Sequence, residues 1–327
     1  MSADAMPFTY EVVPNWEQLP ENWSFYEATS VAVDSQDRVY VFNRGEHPVI
    51  VFDRDGRFLD AWGEGLFVRP HGIWIGADDT LYLVDDADHT VRQFTPQGEL
   101  LMTLGESGCA SETGCVGNDY RTIQAGGAPF NQPCDLVIGR SGDLFVADGY
   151  GNARVHRFSA DGALKASWGE PGDAAGQFNL PHGIGVDSQG RLFVADRENS
   201  RLQVFSEDGA LLTEWTNVVR PTQVFFDQED NVYVSELGRR AGLFPWMELD
   251  STTTGGRVSV FDSNGQLLAR LGGGDNPCEP GDFFTPHDVW VDSEGSIYVA
   301  EVTMSGGGKN GLIPADCPSL QKFVRRH

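Results

Sequence analysis

Apolar and polar residues alternate in short runs along nearly the whole chain, and turn residues break the runs at regular intervals. One phrase recurs. An alternating run enters an acidic or polar turn with glycine, followed by a run such as Leu81-Tyr-Leu-Val-Asp85 and a Val-x-x-Phe segment; a turn like Asp-Gly or Gln-Gly and a final run ending in Trp-Gly or Leu-Gly complete it. Ser30–Gly63 and Gly72–Gly105 show the phrase in full, and Asp135–Gly169 and Gly183–Trp215 repeat it closely. Gln223–Gly272 carries it with an insertion near Leu237–Gly255, and a sixth copy starts at Asp288 and is cut short. Alternation with a period of two predicts strands, and each complete copy predicts four of them.

Four-stranded units repeated at this spacing are propeller blades, because one such sheet cannot bury both faces alone. The sixth copy supplies only Asp288–Asp292, Ser296–Glu301 and Leu320–Arg325, so Tyr10–Val13 is expected to add the missing outer strand and close the ring. The repeat spans nearly all of residues 1–327. The predicted fold class is therefore all-β, a single six-bladed β-propeller domain; an array of β-sandwiches is the weaker alternative.

Charge narrows the partners. The 48 acidic and 23 basic residues give a formal charge of −25, which repels phosphate backbones and argues against nucleic acid as a partner. The sequence has no apolar stretch of about 18 residues, so no membrane-spanning helix is expected. Its start, Met1–Ala5, lacks the basic and apolar segments of a signal peptide. Cys109 and Cys115 share a glycine-rich loop, and Cys278 and Cys317 lie in loops near the last repeat. Two disulfides with Cys134 left over are expected, which favours a periplasmic or secreted setting over a cytoplasmic one.

Candidate chemistry appears when the six copies are aligned just before the innermost strand. That position holds Thr29, His71, Cys134, His182, Thr222 and His287, with proline before each histidine. Alternate blades of a six-fold ring sit about 120° apart, so the three imidazoles should converge on the central channel. Three nitrogen donors with an open fourth position form a catalytic zinc arrangement. A Pro-His blade-start turn is the plainer reading, but it leaves unexplained why three of the seven histidines fall at one aligned position in strict alternation. His47, His89, His156 and His327 do not align and are expected on the surface or in loops. Asp288, one residue on, should also face the channel, either as a ligand for a hard cation such as calcium or as a hydrogen-bonded channel residue.

A second ring, Asn43, Asp85, Asp148, Asp196, Glu236 and Glu301, closes each second strand and is expected to tie down turns. Just beyond it stand Arg44, Tyr150 and Arg197. An arginine can hold a carboxylate by two parallel bonds, and a tyrosine beside a dication and an arginine can act as a base.

These residues resemble the lyase domain of peptidylglycine α-amidating enzymes, six-bladed propellers of NHL-type repeats. The likeness is carried by Asp148-Gly-Tyr-Gly-Asn-Ala-Arg154, Phe178-Asn-Leu-Pro-His-Gly183, Val194-Ala-Asp-Arg-Glu-Asn199, Pro286-His-Asp288 and Phe42-Asn-Arg-Gly-Glu-His47. The resemblance implies zinc on His71, His182 and His287, Tyr150 as catalytic base, Arg44 beside the reacting group and Arg197 at the substrate carboxylate. It also implies a structural calcium on Asp288 and the carbonyls of Val31 and Ile73. The reaction it implies is cleavage of an α-hydroxyglycine to an amide and glyoxylate, by a monomer acting on a small-molecule or peptide-derived substrate. The chain departs from the family pattern at Thr285, where a methionine is expected, at Gly151, which removes a family disulfide, and in insertions over Gly105–Asn131 and Leu237–Gly255. The competing readings are a metal-dependent hydrolase on a propeller, such as a lactonase, and a non-catalytic NHL interaction scaffold.

Overall fold

The computed structural model describes residues 7–249 and 254–326. Met1–Ala5 and His327, on which expectations were stated above, lie outside these residues. The described chain forms six four-stranded antiparallel sheets arranged as the blades of a propeller. Five blades are continuous in sequence. In the sixth, Thr9–Val13 pairs with Leu320–Arg326 and completes the order outward from Pro286–Val291. First and last strands thus share one sheet, which leaves no blade short of an edge strand.

Burial falls from the inner strands to the outer ones. Each second strand is buried throughout, whereas outer strands such as Leu211–Trp215 are largely exposed. Apolar clusters fill the gaps between neighbouring blades, with Phe145, Phe178 and Phe205 in one and Phe193, Val224 and Phe261 in the next. Each fully buried phenylalanine contributes roughly 1.5–3 kcal/mol. Tryptophans at the ends of outer strands cap the turn of the following blade. Trp62 lies 2.9 Å from where a Cβ on Gly98 would sit, and Gly98 has φ +84°, so both the turn and the packing require glycine there.

One irregularity recurs in every blade. The pairing between inner and second strand slips by one residue at the aligned ring position, between Ala28 and Ser30, Pro70 and Ile73, Pro133 and Asp135, Pro181 and Ile184, Pro221 and Gln223, and Pro286 and Asp288. Such a bulge re-aims the side chain at the extra residue. Here it brings consecutive residues of the inner strands to the channel, which then has layers: the histidine ring, below it Ser30, Asp135, Gln223 and Asp288, and below that the packed aromatics Trp74, Phe225 and Trp290.

Two expectations are corrected. Cys278 and Cys317 form a disulfide, but Cys109 and Cys115 do not. Cys115 Sγ is turned to the carbonyl oxygen of Asp119 at 3.7 Å and lies 4.0 Å from that of Tyr150, while Cys109 is exposed. His156 is neither a surface nor a loop residue: it sits in the strand Arg154–Phe158, fully buried against Asp148 and Ser167. Its strand position points it under the blade-three turn rather than into solvent.

Candidate metal centre

The bulges bring His71, His182 and His287 together. Their donor atoms all lie within 4.8 Å of one another, and the side chains are 1%, 2% and 4% exposed. Each Nδ1 meets a backbone carbonyl of the next odd-numbered blade: His71 to Cys134 at 2.7 Å, His182 to Thr222 at 2.8 Å and His287 to Thr29 at 2.6 Å. A carbonyl only accepts, so Nδ1 carries the proton and Nε2 presents a lone pair to the channel axis. The Nε2 of His287 is buried with no partner among the described residues. Burial, reinforced by the neighbouring imidazoles and by Arg44 and Arg197, holds His71 and His182 well below the ordinary imidazole range; His287 is held at about 3 by burial, Arg44 and Arg197. All three are neutral at pH 7. Three neutral nitrogens aimed at one point, each oriented through its other nitrogen, fit a transition metal such as zinc.

Tyr150 closes the open side. Its hydroxyl lies 3.2 Å from His71 Nε2 and 3.1 Å from His182 Nε2, and the Nη1 of Arg197 donates to it at 3.4 Å. Burial raises the phenol above its ordinary value; Arg197 and Arg44 pull it back without overcoming burial. The protein's own groups therefore do not depress Tyr150; the expected base is a tyrosine beside both a dication and an arginine.

Arg197 is completely buried. Its Nε donates to Glu198 at 2.9 Å, and its Nη2 is buried without a partner among the described residues. Burial opposes ionisation of Glu198, but Arg197 and Arg220 together hold it below its ordinary range. Arg44 is more committed. Its Nε donates to the Pro70 carbonyl at 2.9 Å and its Nη1 to Glu27 at 2.8 Å and Ser305 at 3.3 Å. Ser305 comes from the short helix Thr303–Gly306, which leans over the mouth from blade six.

The second ring behaves as expected. The Asp85 carboxylate accepts from the backbone of Val68, Arg69 and Asp88, and Glu301 accepts from Phe284 and Thr285, so these acids pin the loops that carry the histidines.

Below the histidines, Asp288 accepts from Ser30 Oγ, from Val31 N at 3.0 Å and from its neighbour Val289 N at 2.7 Å. Ile73 is engaged through its N–H, which donates to Ser30 Oγ at 3.0 Å. A carboxylate occupied by N–H and O–H donors gives no support to calcium on Asp288, Val31 and Ile73. Asp135 lies in the same layer; its Oδ2 accepts from Ile184 and Gln223, while its Oδ1 is buried and unpartnered. Burial, and then the nearby Asp288, raises Asp135 to about 8, and burial raises Asp288 to about 6.

The sequence reading missed Glu27, Arg69, Asp86, Glu198 and Arg220. A signal existed. The residue two before each ring position reads Glu27, Arg69, Gln132, Leu180, Arg220 and Thr285, and the residue after the acid ring includes Arg44, Asp86 and Arg197. Charges at two aligned columns on one face mark a polar mouth.

A six-bladed propeller with a buried three-histidine centre under a tyrosine and arginines defines the class. The NHL repeat family matches residues 178–205. NHL repeat-containing protein 3 of Homo sapiens is 33% identical over 314 residues, spanning 90% of this chain and 81% of that protein. Peptidyl-alpha-hydroxyglycine alpha-amidating lyase 1 of Drosophila melanogaster is 31% identical over 266 residues, 76% of this chain and 45% of that protein. The chain belongs to this family of NHL-repeat propellers, which holds both NHL repeat-containing protein 3 and the α-hydroxyglycine amidating lyases. Among solved structures, a streptogramin B lyase superposes with TM-score 0.60 at 12% identity over 98% of each chain, a likeness of fold alone.

Proposed function

We propose that this chain is a zinc-dependent lyase that cleaves the C–N bond of an N-acyl-α-hydroxyglycine or similar carbinolamide, releasing an amide and glyoxylate. One observation carries the reading: three neutral Nε2 donors converge beneath the Tyr150 hydroxyl, each fixed through an Nδ1–H bond to a carbonyl. His71, His182 and His287 would hold the ion. Zinc, when bound, lowers the pKa of a neighbouring hydroxyl and stabilises the charge it leaves. Tyr150, ionised where a dication offsets its burial, would take the proton of the substrate hydroxyl and return it to the departing amide nitrogen, so the carbinol oxygen becomes the aldehyde oxygen of glyoxylate. The unpartnered Nη2 of Arg197 donates to the substrate carboxylate. Arg44, held rigid by Glu27 and the Pro70 carbonyl, adds fixed positive charge near the reacting group. The relatives named as amidating lyases support the reaction class.

The test is metal content followed by turnover. The purified protein should carry about one zinc per chain, as a three-histidine site predicts, and should release glyoxylate from N-acyl-α-hydroxyglycines. A zinc-loaded, folded protein that releases none would remove the lyase reading.

A further inference from the structure

We propose that Arg69 reads a second anionic group on the substrate, so that the site favours N-acyl-α-hydroxyglycines whose acyl part carries its own carboxylate; this rests on the lyase reading for the reaction but not for the binding. Tyr150, in blade three, is flanked by one arginine from each neighbouring blade. The guanidinium carbon of Arg197 lies 5.4 Å from the tyrosine ring centre and that of Arg69 lies 5.7 Å from it. Their commitments differ. Arg69 Nε and Nη2 grip the two oxygens of Asp86 at 2.5 and 2.6 Å, which fixes the plane of the group. Its Nη1 has no hydrogen-bond partner among the described residues, and its side chain is 37% exposed.

Arg44, the third arginine of the mouth, has Nε and Nη1 already occupied and Nη2 4.0 Å from Asp86. Arg44 is paired with Glu27 at 2.8 Å and Arg69 with Asp86 at 2.5 Å, so the two ion pairs balance, and what sets Arg69 apart is its unpartnered N–H beside Tyr150. All three guanidinium groups keep one N–H without a partner among the described residues, but only those of Arg197 and Arg69 flank the phenol. The buried donor on Arg197 suits the carboxylate at the reacting carbon, because an interior N–H gains most from an acceptor. The wet donor on Arg69 meets the part of the ligand that leads outward, the acyl group.

Unhydroxylated ligands separate this assignment from the chemistry. Zinc-loaded protein, titrated calorimetrically, should bind N-succinylglycine about tenfold more tightly than N-acetylglycine, the value of one charge-assisted bond. Arg69→Gln should abolish that preference, weakening N-succinylglycine about tenfold and N-acetylglycine far less. The preference should also shrink as salt is raised. Because Arg69→Gln leaves Asp86 with one partner fewer, the double variant Arg69→Gln/Asp86→Asn serves as the folded control and should show the same loss. Equal affinities in the wild type, or a parallel loss of both ligands in the variants, would overturn the assignment. Glyoxylate release from the α-hydroxylated pair tests the lyase reading separately: absence of turnover with the binding preference intact would remove the reaction and leave the role of Arg69 standing.

Discussion

Even- and odd-numbered blades share a fold, a bulge and a ring position, yet the ring residue does opposite work in the two sets. In blades two, four and six it is a histidine whose side chain faces the axis. In blades one, three and five it is Thr29, Cys134 or Thr222, and what the centre uses is its backbone carbonyl, which accepts from the neighbouring Nδ1. The even blades supply donors for an ion and the odd blades aim them. A backbone carbonyl is present whatever the side chain, so the odd positions are free to hold threonine or cysteine. The same comparison explains Cys134. Its thiol is buried, points to the Gln132 carbonyl at 3.7 Å and does not join the cluster of His71, His182 and His287.

Four changes break or sharpen that contrast. His182→Ala in an even blade removes a donor and should cost more metal affinity than the 10- to 100-fold typical of outer-shell changes, with turnover lost; metal analysis after dialysis checks it. Tyr150→Phe keeps all three donors, so zinc should remain bound while turnover falls by roughly 10²- to 10⁴-fold, the usual contribution of a proton-transfer group. Unchanged turnover would exclude the tyrosine as base.

Asp135→Asn probes the layer below. Asp135 is held at about 8 in the folded chain, above its ordinary value near 3.8. Its stabilising contribution is therefore present below the ordinary carboxylate range and lost as pH rises through about 8. The asparagine variant should gain Tm relative to wild type as pH rises from about 6 to about 9, with a constant difference counting against a buried protonated acid. The smallest effect is expected at Cys134→Ser in an odd blade: the carbonyl remains, so zinc affinity should change by less than about threefold, with stability lower by about 1 kcal/mol. A large loss of zinc would mean that the thiol, not the carbonyl, serves the centre.

Most of the fold was legible because the repeat is written in period two and interrupted by glycine turns. The closing strand was legible for a related reason: three strands in the last copy and one spare alternating run at the start imply each other. The histidine ring was legible since one residue type recurs at one aligned position. The mouth was read only in part. Arg44, Tyr150 and Arg197 stood out beside the acid ring, whereas Arg69 and Asp86 lie in different aligned columns and become a pair only when the chain brings them to 2.5 Å. The cysteines show the same limit. Cys109 and Cys115 are 6 positions apart in the sequence and Cys278 and Cys317 are 39, yet only the distant pair is bonded.

The sequence by itself determined the blade number, the closure and the three residues that can hold an ion, because each is a property of repetition along one dimension. Tertiary structure alone decided which nitrogen of each histidine faces the axis, since the orienting carbonyls lie 63, 40 and 258 residues away. It also decided that Asp288 is spent on protein donors, and that, among the described residues, one oxygen of Asp135 and one N–H of Arg69, which stands over Tyr150, have no partner. The reason is physical: a bulge and a buried wall set the direction of a side chain, and neither the direction nor the partner it meets across a blade has a period that a sequence can display.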